Sequence, residues 1–297
     1  MSEAAGAGQA RALEVLATGP LALIEDEGRV GSMALGVGRA GAVDRGSYRL
    51  GERLVGNPPG CAAIEVTFGG LSVRAHNDLT VCLTGAPAPA TIGDRAVGLG
   101  SPLRLPDGAV LTLGAPAAGM RTYLCVRGGI DVDPVLGSRS TDTMSWLGPH
   151  PLSTGQLLPV GTVDAVHHCV DQAPTALLRT DPFEIAVQPG PRRDWFADPR
   201  QLARADGWVI TERSDRKGVR LDGDPIERAP ERESAELPSE GVVRGAIQVP
   251  PDGRPVIFLD DHPVTGGYPV IGVVRCADVD RVAQGVPGQR ITMRWQA

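Results

Sequence analysis

The sequence predicts a mainly β protein with a few short helices. Short apolar runs, some alternating with polar residues, recur along most of the chain, as expected for strands. The 39 glycines and 26 prolines punctuate these runs and supply many turns. Only three segments carry helix signals. This combination favours a barrel or sandwich over a parallel α/β sheet.

The predicted strands are short and spread over the whole chain. They are residues 13–17, 21–24, 62–67, 79–83, 110–113, 123–126, 184–187, 208–211, 219–221, 246–249, 256–259 and 291–295. Because only 4% of the residues are aromatic, Val, Leu, Ile and Ala must build the core.

Each predicted helix has a start or a stop signal. Residues 44–55 end at Gly56-Asn57-Pro58. Residues 201–205 follow Asp198-Pro199, which is typical of a helix start. Residues 278–283 form the third helix, which ends before Gly285.

The chain has 297 residues, enough for one large or two ordinary domains. We expect a flexible tail over residues 1–11, a first β-rich lobe over residues 12–170 and a second over residues 171–297. The connection between the lobes is expected within residues 164–180.

Composition argues against several classes of protein. The net charge of −6, without a basic patch, argues against nucleic-acid binding. No apolar run is long enough to span a membrane, and the first residues do not resemble a signal peptide. We therefore expect a cytoplasmic protein without a membrane or nucleic-acid partner.

Lysine and cysteine usage narrows the chemistry further. Lys217 is the only lysine, and Gly218 follows it, so the chain has no P-loop. Its neighbours also differ from a biotin attachment site, so we expect no covalent biotin. Five widely spaced cysteines argue against a disulfide framework. His167-His168-Cys169 lacks a third ligand at useful spacing, so we predict no metal site.

Residues 36–41 match the dinucleotide-binding pattern Gly-x-Gly-x-x-Gly. That site requires a buried strand directly before the first glycine, within alternating strands and helices. Neither is evident here, so the nicotinamide-cofactor interpretation is disfavoured.

The first candidate site is a glycine-rich segment that contains Asp26, Arg29, Arg39, Asp44 and Arg45. Glycines expose backbone N–H groups, and an arginine can grip a carboxylate or phosphate with two hydrogen bonds. The aspartates could orient these arginines or act as a base. The alternative is an internal salt-bridge cluster that holds a long loop.

Two further segments carry candidate groups. Residues 214–220 place several cations around Asp215, which could bind an anion or form a charged turn. Residues 265–269, Thr-Gly-Gly-Tyr-Pro, could admit a ligand beside bare backbone or form a tight β connection. In Asp260-Asp261-His262, neighbouring strand residues point to opposite faces, so Asp261 should not share a site with both neighbours. We expect the glycine-bearing segments to meet around an anion, together with guanidinium groups.

A series of short motifs, in order along the chain, is similar to one known family. They are Asp26-Glu27-Gly28-Arg29, Leu54-Val55-Gly56-Asn57, Glu65-Val66-Thr67, Thr84-Gly85-Ala86, Gly128-Gly129-Ile130, Leu136-Gly137-Ser138-Arg139, Asp194-Trp195-Phe196, Ser214-Asp215-Arg216, Ser239-Glu240-Gly241-Val242-Val243 and Thr265-Gly266-Gly267-Tyr268-Pro269. The chain thus resembles the second subunit of the allophanate-hydrolase and urea-carboxylase carboxyltransferase group. Its stand-alone bacterial members are the C-type subunits of 5-oxoprolinase, also called KipA.

The resemblance implies two cyclophilin-like β-barrel lobes and an ATP-dependent hydrolase subunit that opens 5-oxo-L-proline to L-glutamate. It implies ATP with Mg, bound through the complex. It also implies a KipI-like partner, the B-type subunit of 5-oxoprolinase, and an A-type partner for ring opening. The chain should be inactive without its partner.

The resemblance also suggests site residues. The predicted catalytic residues are Asp26, Arg29 and Asp44. The predicted substrate-binding residues are Gly28, Arg39, Ser214, Asp215, Arg216, Thr265, Gly266, Gly267 and Tyr268. The sequence departs from the family pattern at two places. Glu25 stands where the family usually has Gln and should add charge, and Pro263-Val264 stands where the family usually has Gln-Thr.

Two alternatives to the oxoprolinase assignment stay open. One is a carboxyltransferase component that uses carboxybiotin from another chain. The other is a non-enzymatic antagonist that binds a Kip-type inhibitor of a histidine kinase.

Overall fold

The computed structural model describes residues 10–163, 170–175 and 177–296, which form two β-rich lobes. Strands β1 to β11 belong to the first lobe: Ala12–Thr18, Leu21–Glu25, Ala63–Thr67, Leu71–His76, Leu79–Gly85, Ala90–Ile92, Arg95–Val97, Leu103–Leu105, Val110–Leu113, Arg121–Val126 and Leu157–Pro159. They form a six-stranded sheet, in the order β11-β1-β4-β9-β6-β7, and a five-stranded sheet, β2-β3-β10-β5-β8. Apolar residues from both sheets share one core.

The second lobe is a closed barrel. Strands β12 to β20 are Phe183–Pro189, Trp208–Ile210, Gly218–Asp222, Glu240–Gly241, Ala246–Gln248, Val256–Phe258, Thr265–Gly266, Val270–Val274 and Arg290–Trp295. The barrel order is β12-β19-β16-β17-β14-β13-β20, and it closes through the parallel pair of β12 and β20. Strands β15 and β18 form a separate two-stranded ladder.

Two α-helices and four 3₁₀ turns complete the described part of the chain. Helix α1 is Arg45–Val55 and helix α2 is Cys276–Ala283. The 3₁₀ turns are Met33–Leu35, Arg193–Trp195, Pro199–Ala203 and Pro230–Arg232. Helix α1 lies on β5 and β10 of the five-stranded sheet, and Gly56 ends it with φ of 75°, as expected for a left-handed cap.

The prediction of a mainly β fold with few helices is confirmed. The second lobe is a closed barrel, whereas the first consists of two sheets around one core. The predicted helix at residues 201–205 is instead the 3₁₀ turn Pro199–Ala203. Short strands such as Arg95–Val97 were missed because they are too polar to appear as an apolar run.

None of the described strand pairings joins the first eleven strands to the last nine. The predicted lobe boundary at residue 170 falls between these two groups. Within the described residues, no helix combines the length and apolar character needed to cross a membrane.

Candidate functional site

The two lobes meet around the buried guanidinium of Arg216, which lies just before β14. Its Nε and Nη2 donate to the two carboxylate oxygens of Asp261 at 3.0 and 3.1 Å. The same guanidinium also reaches the first lobe. It donates to the carbonyl of Gly41 at 2.7 Å and to Oε1 of Glu65, and Nη2 lies 3.1 Å from Oε1 of Glu25. One arginine therefore joins three carboxyl groups from both lobes.

Glu65 is the ionised carboxylate on the first-lobe side of this cluster. The hydroxyl of Tyr123 donates to its Oε2 at 2.7 Å, and the backbone N–H of Val43 donates at 3.1 Å. Nε of Arg121 lies 3.6 Å from its Oε1. Burial alone would raise the pKa of Glu65, but Arg216 and Arg121 hold it below its usual value.

Glu25 behaves differently from Glu65, although both are buried. Neither of its carboxyl oxygens makes a hydrogen bond within the described residues. Burial raises its pKa well above the usual value in spite of the attraction of Arg216. Burial of this carboxyl group therefore opposes the charge that we expected Glu25 to add.

A second group of ion pairs also links the lobes. Arg45 of helix α1 donates to Oδ1 of Asp260 through Nε and Nη2, at 2.9 and 2.6 Å. Arg244 donates to Oδ2 of Asp260 at 2.6 Å and to Asp280 at 2.7 Å. It also donates to the carbonyl of Val43 at 2.7 Å. Together these bonds fix the first turn of α1 against the barrel.

Asp44, a predicted catalytic residue, is the N-cap of helix α1. Its carboxylate accepts from the backbone N–H and the hydroxyl of Ser47 at 3.0 and 2.7 Å. It also accepts from Nε2 of Gln284 at 2.7 Å, and Gln284 in turn binds the backbone of Arg121. Burial, followed by the charge of Asp280, raises the pKa of Asp44. These contacts are all structural, and a catalytic role for Asp44 stays a prediction.

Asp26 connects two long loops of the first lobe. Oδ1 accepts from the backbone N–H of Gly28 at 2.7 Å and from the hydroxyls of Ser138 and Ser140, each at 2.6 Å. Oδ2 accepts from the backbone N–H of Arg139 at 2.6 Å. Gly28 has φ of 82°, and a Cβ atom there would lie 2.5 Å from the carbonyl oxygen of Ala40, so no side chain fits.

Arg29 is only 1% exposed and is incompletely bonded. Nη2 donates to the carbonyl of Ser140 at 2.5 Å, while Nε and Nη1 have no hydrogen-bond partner within the described residues. Arg39 lies on the same segment, where its Nε donates to the carbonyl of Glu27 at 2.9 Å.

The remaining predicted binding residues fall into two turns. Asp215 accepts from the backbone N–H of Lys217 at 2.8 Å, and the hydroxyl of Ser214 accepts from that of Arg220 at 3.0 Å. Both side chains therefore stabilise the turn before β14. Thr265 and Gly266 form strand β18, Gly267 follows it, and Tyr268 is 43% exposed.

A cavity of about 550 Å³ lies between the lobes, beside the Arg216 cluster. It is lined by Met33, Ala34, Gly36, Gly38, Asp142, Met144, Ser145, Asp261, His262, Pro263, Val264 and Thr265. The structure thus brings the loop after Arg29 and the start of the Thr265–Gly266 segment to one cavity. Arg29, Arg216 and Tyr268 are not among the lining residues, so the cavity wall lacks the guanidinium groups that we expected there.

His262 is a cavity residue for which the sequence analysis predicted no role. It is 5% exposed, and its ring stacks on Phe258 with centroids 5.7 Å apart. Nδ1 lies 2.7 Å from the carbonyl oxygen of Pro263. Burial lowers the pKa of His262 below its usual value. The signal was an imidazole next to two aspartates. The alternation of faces expected of a strand does not apply here, because Asp260 and Asp261 lie in a turn and both Asp261 and His262 line the cavity.

The turn at residues 142–147 was also missed. Oδ1 of Asp142 accepts from the backbone N–H groups of Met144 and Ser145 at 2.8 and 3.0 Å. The backbone N–H of Trp146 donates to the carbonyl of Asp142 at 2.9 Å. Trp146 has φ of 56°, a conformation that costs a bulky residue energy and persists only when its surroundings hold it.

Five exposed apolar side chains lie on the two first-lobe segments that contribute residues to this cavity. They are Val30, Met33, Leu35, Met144 and Trp146, with exposures of 74, 44, 72, 47 and 65%. We call this set the apolar rim. Met33 and Met144 also line the cavity, so the rim and the cavity are continuous.

Within the described residues, no group of three or more His, Cys, Asp or Glu side chains could hold a metal ion. The His167-His168-Cys169 sequence lies outside the described residues.

Comparison with known proteins identifies the family. A family model described as carboxyltransferase domain, subdomain A and B, matches residues 35–295. The chain belongs to this carboxyltransferase family. It is 37% identical to the C-type subunit of 5-oxoprolinase from Escherichia coli, over 94% of this chain and 89% of that protein. The corresponding protein of Haemophilus influenzae is 32% identical, over 92% of this chain and 87% of that protein.

Solved structures in the same family support the fold. The K. lactis urea amidolyase matches with a TM-score of 0.90 at 30% identity, covering 97% of this chain. The chain spans only 19% of that enzyme. The family match extends across both lobes, so the cavity between them belongs to the carboxyltransferase domain as a whole.

Proposed function

We propose that this chain is the C-type subunit of an ATP-dependent 5-oxoprolinase, which converts 5-oxo-L-proline to L-glutamate together with a KipI-like B-type partner and an A-type partner. The observation that carries the proposal is the end-to-end match to the E. coli protein, at 37% identity over 89% of its length. By contrast, the chain matches only 16% of the yeast urea amidolyase. A stand-alone subunit is therefore the better model for its activity.

The cavity between the lobes is the proposed position of the substrate. Its volume of about 550 Å³ exceeds that of a five-membered lactam, so it leaves room for a second group from ATP or from a partner. Its lining contains Asp142 and Asp261 but no lysine or arginine. This lining does not suit a triphosphate by itself, which supports binding of MgATP with the help of the KipI-like partner.

The apolar rim supports the need for that partner. Contiguous exposed apolar side chains on a soluble domain commonly mark a contact surface, and tryptophan is enriched among the residues that dominate binding energy. The turn that carries Met144 and Trp146 is held by several hydrogen bonds to Asp142. We therefore propose that the KipI-like partner covers the rim and closes the cavity.

The test is to co-express the chain with candidate A-type and B-type partners and to measure glutamate released from 5-oxoproline. We expect a stable complex with ATP-dependent turnover and no turnover by the isolated chain. Robust ATP-dependent turnover by this chain alone would contradict the proposal that it needs partner subunits.

A second candidate function is a carboxyltransferase that uses carboxybiotin from another chain. Membership of the carboxyltransferase family and the likeness to the fungal urea enzymes favour it. Avidin added to the reconstituted complex separates the two functions. Turnover of 5-oxoproline should be insensitive to avidin, whereas a carboxybiotin reaction would be abolished.

A further inference from the structure

Among the described residues, three titratable side chains line the cavity: Asp142, Asp261 and His262. Asp142 is occupied by its own turn, and Asp261 is occupied by Arg216 and Thr143. Nε2 of His262 makes no hydrogen bond within the described part of the chain, although the residue lines the cavity.

The tautomer of His262 follows from its one hydrogen bond. A carbonyl oxygen only accepts, so the 2.7 Å contact with Pro263 requires that Nδ1 carries the proton. In the neutral ring, Nε2 then holds a free lone pair. Stacking on Phe258 fixes the plane of the ring, and thus the direction of this lone pair.

Burial and the charges around the ring act in opposite directions on its protonation. Burial lowers the pKa of His262, and the positive charge of Arg45 acts in the same direction. The carboxylates of Asp260 and Asp261 act in the opposite direction and stabilise the protonated ring. Asp142, on a different loop, is the other acidic residue of the cavity lining. Such a balance suits a group that is unprotonated at rest and accepts a proton during the reaction.

We propose that His262 is the general base of the site and accepts the amide N–H proton of the substrate at Nε2. This inference rests on the proposed function. The N–H bond of the lactam breaks, and its proton goes to Nε2. The electron pair would move through the N–C–O unit to the carbonyl oxygen, which would bond to the terminal phosphorus of an ATP held by the partner, while ADP would leave with the electrons of the broken P–O bond. The imidazolium then loses its proton to solvent.

The same group would serve the carboxyltransferase alternative. Carboxylation of an amide or urea nitrogen also removes an N–H proton, so the common chemistry is proton abstraction from an amide-type nitrogen. Whether the deprotonated amide then reacts with the phosphorus of ATP or with the carboxyl carbon of carboxybiotin depends on which of these the partner chain supplies.

The test is His262→Asn in the complex with both partners. The Asn amide can keep the hydrogen bond to the Pro263 carbonyl, because its nitrogen replaces Nδ1, while the acceptor at Nε2 is lost. We expect kcat to fall by about 100- to 10,000-fold, with a smaller change in KM. In the wild-type complex, kcat/KM should rise with pH as the histidine of the free enzyme loses its proton. This rise should be absent in the variant. His150→Asn is the matched control, because His150 is exposed and does not line the cavity.

Wild-type kcat and an unchanged pH profile in the His262→Asn complex would overturn the proposal. A second measurement is independent of the proposed function. ¹⁵N NMR of the isolated wild-type chain should show His262 as the neutral tautomer protonated at Nδ1. A ring protonated at Nε2 would refute the base assignment, whether or not the complex turns over 5-oxoproline. Lack of turnover by the wild-type complex, with the expected tautomer, would instead refute the choice of substrate.

Discussion

In two neighbouring regions between the lobes, the Arg216 cluster and the cavity, the central side chains Arg216 and His262 differ in how completely they are bonded. In the cluster, Arg216 uses its guanidinium on Asp261, Glu65 and the carbonyl of Gly41, all of them buried. In the cavity, the adjacent residue His262 keeps a free nitrogen. Asp261 and His262 follow each other in the chain and both line the cavity, yet the carboxylate of Asp261 is bonded to Arg216 and Thr143, whereas one ring nitrogen of His262 is not bonded.

The difference shows that charge alone does not mark a functional site. The residues with the highest local charge are mostly used to hold the lobes together. A group that is held firmly but left with an unused hydrogen-bonding position is the better candidate for chemistry. Three substitutions sharpen this comparison.

Arg216→Ala should have the largest effect on stability. It leaves the buried Glu65 and Asp261 carboxylates without their main cation, which typically costs about 3–5 kcal/mol of the free energy of unfolding. Urea denaturation of the isolated chain measures this loss. Arg220→Ala is the control, because Arg220 lies on β14 but is exposed. A loss below about 1 kcal/mol would show that the cluster does not lock the lobes.

Glu25→Gln should increase stability at neutral and alkaline pH. The pKa of Glu25 is raised in the folded protein. The contribution of Glu25 to the free energy of unfolding is therefore most favourable at low pH. It decreases as the pH rises above about 4.5, the pKa in the unfolded chain, towards the pKa in the folded protein. Gln keeps the shape of the protonated acid and does not titrate. The variant should therefore gain up to about 1.4 kcal/mol over the wild type for each pH unit in that window.

The control for this comparison is Glu212→Gln, at an exposed position, measured by urea denaturation between pH 5 and pH 8. If the difference between Glu25→Gln and the wild type is constant over this range, then Glu25 is ionised in the folded protein.

Trp146→Ala should have a smaller effect, limited to assembly. Removing an exposed indole from the apolar rim should weaken binding of the KipI-like partner by about 2 kcal/mol, or roughly 30-fold in Kd. Stability should stay within about 0.5 kcal/mol of the wild type. Isothermal titration calorimetry measures the affinity, with Leu157→Ala as an exposed apolar control outside the rim. Equal affinities for both variants would remove the rim from the interface.

Much of the fold could be predicted from the sequence because it depends on local patterns. The runs at residues 110–113 and 123–126 became β9 and the end of β10, and Gly56 ended α1 as predicted. The short strands β6 to β8 could not be predicted, since their pairing depends on neighbours in the sheet rather than on their own apolar residues.

The candidate site was harder to predict because its bonds join distant parts of the chain. Arg216 meets Glu65 across 151 residues, and no local pattern reveals such a pair. Asp44 was predicted as the first residue of the helix at residues 44–55, whereas the structure has it as the N-cap of that helix. Helix capping accounts for its bonds to Ser47, while a catalytic role for it stays a prediction.

The most direct test compares Asp261→Asn with His262→Asn, two neighbouring positions changed to the same residue. For each variant, the free energy of unfolding of the chain and the kcat of its complex with both partners are measured. His262→Asn should keep its stability to within about 1 kcal/mol and lose at least about 100-fold in kcat. Asp261→Asn should lose several kcal/mol of stability, because it weakens the pairing with Arg216. Full turnover by His262→Asn, together with a stable Asp261→Asn, would contradict the separation of structural and chemical roles between these two residues.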